Sequence, residues 1–389
     1  MLNSLSDFTM ATTELLSAPV AVPSDYLGFH FHRYPSDPAP VNGVSTPSPT
    51  PTFNYGAVRT HDNGRCQWGQ LNPSNGTYYW TKMDEFVDAF PGKTITFTLY
   101  GTPTWAAKPA DATHTGPYNS LGECGMPAQM SYVTTFLNEL FTRYGNKITN
   151  FEIWNEPFFT ENYTGFWWGS VQDLLLLSKT CYDWIKTNRP SVNVISPGFT
   201  HGLADKVTET PAYTWCNTVL AGQAKGHTYC DAIAFHPYTM FYTGTANSRG
   251  WLNTYNDMRF NAVDCILDLP AYLGITKPLT ITEWGVDSAV GGTKITEYTK
   301  LSPSEQAVLT WRTLAFCAIK QVKSFYIYGY DVPLSGNWCN HQGRIRNDAL
   351  CNMVSDFNLK ISGKTISSAS RFHDGRLLVT MSTGEKYCY

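Results

Sequence analysis

No apolar run in the 389 residues reaches the ~18 needed to cross a bilayer, so a membrane-spanning helix is excluded. Formal net charge is only −3, which removes any electrostatic reason to expect nucleic acid or an anionic membrane surface as a partner. No two of the ten cysteines stand in a Cys-x-x-Cys pair, so the spacing of a structural zinc site is lacking. Met1 to Ser24 lacks the basic n-region followed by an apolar h-region that marks an export signal. There is no internal repeat beyond an alternation of β-like and α-like segments.

What is present is a large aromatic and apolar content. Hydrophobic residues make up 42% and aromatics 14%, with 12 Trp and 23 Tyr. Sugar faces stack on Trp and Tyr rings, and β-rich cores use the same residues. Ten cysteines are many for a cytosolic enzyme, so the expectation is an extracellular, partly disulfide-bonded protein. Cys216 with Cys230 and Cys339 with Cys351 are candidate loop staples. Asn75-Gly76-Thr77 and Asn162-Tyr163-Thr164 are glycosylation sequons.

The chemistry concentrates in two stretches. Asn150-Phe151-Glu152-Ile153-Trp154-Asn155-Glu156-Pro157 reads as a strand that ends in an amide, an acid and a proline. Pro157 cannot donate to a ladder and disfavours the α conformation at Glu156, which places that acid at a strand's carboxyl edge. Trp154 offers an apolar wall, which raises a carboxylic acid's pKa by desolvation, and Asn155 can hydrogen-bond a substrate hydroxyl. Leu279-Thr280-Ile281-Thr282-Glu283-Trp284-Gly285 is a second β-rich run ending in an acid. Two such acids can face one site only if their strands are parallel with carboxyl ends on the same side. That requirement points to an α/β fold, a (β/α)8 TIM barrel.

Trp154-Asn155-Glu156-Pro157 and Thr282-Glu283-Trp284-Gly285 resemble the fourth- and seventh-strand signatures of the retaining (β/α)8 glycoside hydrolases of clan A. Within that clan the chain is most similar to glycoside hydrolase family thirty-nine, over roughly residues 26–335. The resemblance implies that Glu156 is the acid/base and Glu283 the nucleophile. It further implies that Arg59 bonds the nucleophile and keeps it ionised, that His61 lines the sugar site, and that His236 and Tyr238 end strand six beside the two acids. Trp105, in a loop after strand three, would shape the site, and Trp284 would line it. At the end of the last strand the chain departs from the clan pattern, where Tyr330 or Tyr328 stands in for a Trp platform. Trp167-Trp168 either stack further sugar units or pack their own loop.

Residues 1–24 read as a lead-in, 25–351 as the catalytic barrel and 352–389 as a small β appendage. In that appendage 359–361, 367–369 and 377–381 are short β segments and Asp374-Gly375 is a hairpin signal. The barrel strands are expected at 26–32, 55–61, 94–100, 150–153, 193–198, 231–238, 279–285 and 324–331, with helices at 80–90, 129–144 and 171–188. The expected activity is hydrolysis of a β-linked oligo- or polysaccharide by double displacement, needing no cofactor and no metal. Two other readings compete: a non-catalytic carbohydrate-binding barrel, and a metal-dependent hydrolase using His30, His32, His61 and His236. Sugar identity, exo or endo action and oligomeric state are not encoded in these motifs.

Overall fold

The computed structural model describes residues 12–31, 54–61, 66–159, 163–200, 207–237, 263, 267–285, 303–328, 340–341, 345–346, 348–372 and 375–389. Eight parallel strands close into a barrel: β1 Leu27–His30, β2 Ala57–Arg59, β3 Thr94–Thr98, β4 Ile148–Glu152, β5 Asn193–Thr200, β6 Ala232–His236, β7 Leu279–Trp284 and β8 Phe325–Ile327. All eight overlap the strands expected from the sequence. Closure is made by Phe325 pairing with Leu27 and Tyr326 with Gly28. Because both faces of such a sheet are covered, the strands read as nearly continuous apolar runs, and β1, β2, β6 and β7 are buried at every position.

Helices alternate with the strands on the outside. Thr81–Ala89 buries Met83, Phe86 and Val87, while Met130–Tyr144 buries Val133, Phe136, Leu137, Leu140, Phe141 and Tyr144, the i, i+3, i+4 stripes that their spacing predicts. Val171–Asn188 starts on a capping box in which Ser170 and Asp173 bond each other's backbone N–H, so its first turn is satisfied internally. Among the described residues no helix is long and apolar enough to cross a membrane.

The chain ends meet in a second layer. Thr12–Glu14 and Val20–Ala21 both pair antiparallel with Thr365–Phe372, which continues into Leu377–Met381 and Lys386–Cys388. The lead-in therefore contributes strands to the same five-stranded sheet as the tail. Helix Asp348–Lys360 runs across the expected boundary at 351/352 and packs beside Pro303–Ile319. Leu359 and Lys360, expected in a β segment, are its last turn. The 3.6-residue apolar period of Leu350, Val354, Phe357 and Ile361, all buried, outweighs the short β-like run. Tyr389 fastens the sheet to this helix pair: its ring lies 4.2 Å from that of Trp311, and its hydroxyl donates to Asp356.

The expected staple between Cys216 and Cys230 does not form. Both are buried free thiols, and burial pushes each thiol's pKa up, that of Cys230 to about 12. Cys339, the other expected staple's first partner, lies outside the described residues.

Inside the barrel, Gly28 leaves room for a neighbour. A Cβ there would stand 2.4 Å from the Tyr326 ring, whose hydroxyl bonds Thr96 Oγ1 at 2.6 Å. Gly28→Ala is expected to overpack this layer and lower stability by about 1–3 kcal/mol, read from the midpoint of urea unfolding at unchanged slope.

Candidate active site

The carboxyl ends of β2, β4, β6 and β7 converge on one cluster of charged side chains. Its centre is Arg59, which is fully buried. Arg59 Nε donates to Glu152 Oε2 at 2.6 Å, Nη1 to Glu283 Oε1 at 2.6 Å and Nη2 to Asn155 Oδ1 at 2.8 Å. A guanidinium can satisfy three acceptors at once because its five N–H groups are fixed in a planar fork. Burial alone would lower the Arg59 pKa, but the charges and hydrogen bonds of Glu152 and Glu283 outweigh it and hold the pKa above its ordinary value. The cation is permanent.

The second half of the cluster is Glu156 with His236. Nδ1 of His236 lies 2.7 Å from Glu156 Oε1 and 3.7 Å from Glu283 Oε2, and its Nε2 lies 3.0 Å from Thr282 Oγ1. An ionised Glu156 only accepts, so Nδ1–H donates to it and the Thr282 hydroxyl donates to Nε2. One ligand-type atom from each of Glu156, His236 and Glu283 lies within 4.8 Å of the others, and these three are the group among the described residues that is tight enough to hold a metal ion. Glu156 keeps 18% of its side chain exposed, against 5% for Glu283. One acid thus meets solvent while the other sits below it, on the cation.

Local backbone geometry sets this pairing. Glu156 has φ 42°, a left-handed value that costs a non-glycine residue roughly 1–2 kcal/mol. The chain entering it is held by two hydrogen bonds that flank Asn155: Glu156 N donates to Gly198 O, and Gly198 N to Trp154 O, each at 2.8 Å. Gly198 must lack a side chain, since a Cβ would stand 2.5 Å from His236 Nε2 and 2.8 Å from Glu152 Oε1.

The remaining expected residues divide. Asn155 joins the cluster through Arg59. His61 is buried beyond it, with Nε2 3.2 Å from the Tyr118 hydroxyl and its ring edge-on to Tyr100, Tyr118 and Phe166. Trp105 is tied to the outer layer, donating to the Asn72 carbonyl and packing edge-on to Tyr132. Trp284, expected to line the site, is fully buried and packs edge-on against Phe325. Side chains alternate along a strand, so the residue after the inward Glu283 faces the outer core. Trp154 likewise packs between Tyr100 and Trp167 and donates to the Phe166 carbonyl. Trp167 and Trp168 are both buried, so this pair packs its own loop. Tyr238 and Tyr330 lie outside the described residues; Tyr328 is described, its ring 5.3 Å from that of His30.

The four-histidine metal set does not gather among the described residues. His30 Nε2 lies 2.9 Å from both Arg59 Nη1 and the Thr282 carbonyl, His61 meets Tyr118, and His32 is outside the described residues. Residues to which the sequence reading gave no role are Glu152, Thr98, Thr282 and Gly198, and His30 had one only in the metal set. The signal for Glu152 was an acid flanked by Phe151 and Ile153 in a strand, since carboxylates are almost never fully buried unless paired.

No protein-family model and no curated protein matches the chain. Solved structures do. A glucosidase from Croceicoccus marinus superposes with a TM-score of 0.57 at 14% identity, over 95% of this chain and 78% of that one. A GH10 protein from Paenibacillus barcinonensis gives 0.53 at 16%, over 87% and 96%, and the catalytic domain of GH30 xylanase C from Talaromyces cellulolyticus gives 0.51 at 13%, over 93% and 84%. At these identities the likeness establishes the barrel fold.

Removing the cation takes from two buried carboxylates the counter-charge that Arg59 supplies to both. Arg59→Met is expected to cost about 3–5 kcal/mol near neutral pH. The stabilisation lost is that of a cation for anions, so the deficit against wild type shrinks as pH falls and the carboxylates take up protons. Thermal unfolding of both proteins between pH 7 and pH 4 checks the magnitude and the sign.

Proposed function

We propose that the protein is a retaining glycosidase acting on a β-linked oligo- or polysaccharide, with Glu156 as acid/base and Glu283 as nucleophile. The observation that carries this reading is the approach of the two carboxylates, oxygen to oxygen within 4.8 Å, at the strands' carboxyl end of a parallel barrel. Retaining enzymes hold their two carboxyl groups at about 5–5.5 Å, while inverting ones need about 6.5–9.5 Å to admit a water. The finer likeness to family thirty-nine rests on the two sequence motifs. With a polysaccharide substrate, the reading includes an extracellular place of action.

The roles follow from the unequal settings of the two acids. Glu283 is bonded to a permanent cation, which favours its anion beneath an anomeric carbon. Glu156 lies against the titratable His236, and it is the more exposed of the pair. It protonates the leaving oxygen, and the His236 N–H then stabilises the carboxylate left behind. Once the sugar is joined to Glu283, the same carboxylate takes a proton from water, which attacks from the face the leaving group vacated. Asn155, held by Arg59 through its Oδ1, would meet a substrate hydroxyl with its NH2 group. Tyr118 and Phe166, gathered around His61, supply apolar surface for sugar faces, and Tyr238 and Tyr330 complete the set expected from the motifs.

A panel of aryl glycosides and polysaccharides tests the reading. Glu283→Gln is expected to abolish turnover of every substrate that wild type cleaves, and full activity in it would exclude the nucleophile role. Glu156→Gln is expected to slow substrates with poor leaving groups by roughly 10²–10⁴-fold while sparing those with good ones. Proton NMR of the first-formed sugar reads the stereochemistry, and an inverted anomer would sink the double displacement.

A further inference from the structure

Glu152 is a third carboxylate at this site, and the two-acid chemistry gives it no task. It is fully buried at the end of β4, a few residues before Glu156. Its Oε2 accepts from both Arg59 Nε at 2.6 Å and Thr98 Oγ1 at 2.7 Å. Among the described residues, its Oε1 has no hydrogen-bond partner. That oxygen and His236 Nε2 both crowd the space where Gly198 lacks a Cβ, so Glu152 looks onto both halves of the cluster.

Burying an extra carboxylate costs several kcal/mol, and a neutral residue could fill the same volume. Glu152 competes directly with Glu283 for one cation, since they bind Nε and Nη1 of the same guanidinium. We infer that Glu152 is a positioning residue that divides the charge of Arg59, holding the guanidinium in register while keeping Glu283 from being bound so tightly that it loses nucleophilicity. The inference takes the role of Glu283 from the glycosidase reading, but the charge division it describes stands apart from catalysis.

The sign of the effect follows from the groups that face the pair. Glu283 is faced by Arg59, His236 and Glu156, with His30 behind Arg59. Glu152 is faced by Arg59 from β2, Thr98 from β3, His236 from β6 across the Gly198 gap and Tyr326 from β8. Neutralising Glu152 removes a like charge and leaves Arg59 undivided, so the Glu283 anion becomes more stable and its pKa falls.

The test compares wild type with Glu152→Gln and Glu152→Asp. Glutamate labelled with ¹³C at the side-chain carboxyl gives the titration of Glu283, assigned by the resonance that disappears in Glu283→Gln. In Glu152→Gln that titration, and the acid limb of kcat/KM on an aryl glycoside, should both move to lower pH by roughly one unit. In parallel, kcat should fall roughly tenfold, because a less basic carboxylate is a poorer nucleophile. Glu152→Asp keeps the charge but draws it back by one methylene, so its titration should lie between the two. A Glu283 titration that is unmoved or moves to higher pH, in a variant whose circular dichroism matches wild type, overturns the inference. If the Gln variant does not fold, the Asp variant decides in the same way. If wild type cleaves nothing on the panel, the glycosidase reading fails while the carboxyl titration still decides the role of Glu152.

Discussion

The site is organised by one buried cation. Arg59 reaches from β2 to acceptors on β4, on the chain just beyond β4 and on β7, so the guanidinium crosses the barrel interior. Coulomb attraction in a low-dielectric interior is strong, and so is the desolvation it must offset. The cluster survives because each N–H aimed at an anion meets it at hydrogen-bond distance. Without that fork, Glu152 and Glu283 would be buried like charges, and the strands that carry them would repel at the end where the barrel must stay closed.

Around the cation, the backbone is held in a conformation it would not choose. Glu156 sits at positive φ just after a segment that Gly198 anchors, through the peptide groups on either side of Asn155. The same glycine lets the imidazole of His236 approach Glu152, so one missing methyl group serves the strained acid and the buried one together. Strain of this kind persists only where the surroundings over-determine it, and here the determinants lie on β5 and β6, far along the chain from the residue they hold.

Much of this was legible in the chain. Proline after an acid, a strand before it, and a second strand-acid unit downstream pointed to parallel strands with a shared end, and the barrel follows. Arg59, Asn155 and His236 gather with the two acids. Trp284 and Trp105 pack elsewhere. An aromatic next to an acid reads the same whether it faces the cavity or the outer core, and the strand's two-residue alternation puts Trp284 on the far side from Glu283. Glu152 stood in the quoted motif without a role: its apolar flanks, Phe151 and Ile153, signal a buried acid that must be paired, but not with which residue. The tail misled at Leu359 and Lys360, where a short β-like run belongs to a helix whose apolar stripe begins further upstream.

By itself, the sequence determined which segments are strands, that the strands run parallel, and which two acids end them. Those are properties of local pattern: residue period, the conformational limits of proline and the burial preference of apolar runs. Tertiary structure decided the rest, because it depends on distances between residues far apart in the chain. It set Glu283 on Arg59 and Glu156 on His236, joined the two chain ends in one sheet, left Cys216 and Cys230 as separate thiols, and brought a third carboxylate onto the same cation. No spacing along a chain encodes how one charge is shared across a barrel, since that sharing exists only once the barrel has closed.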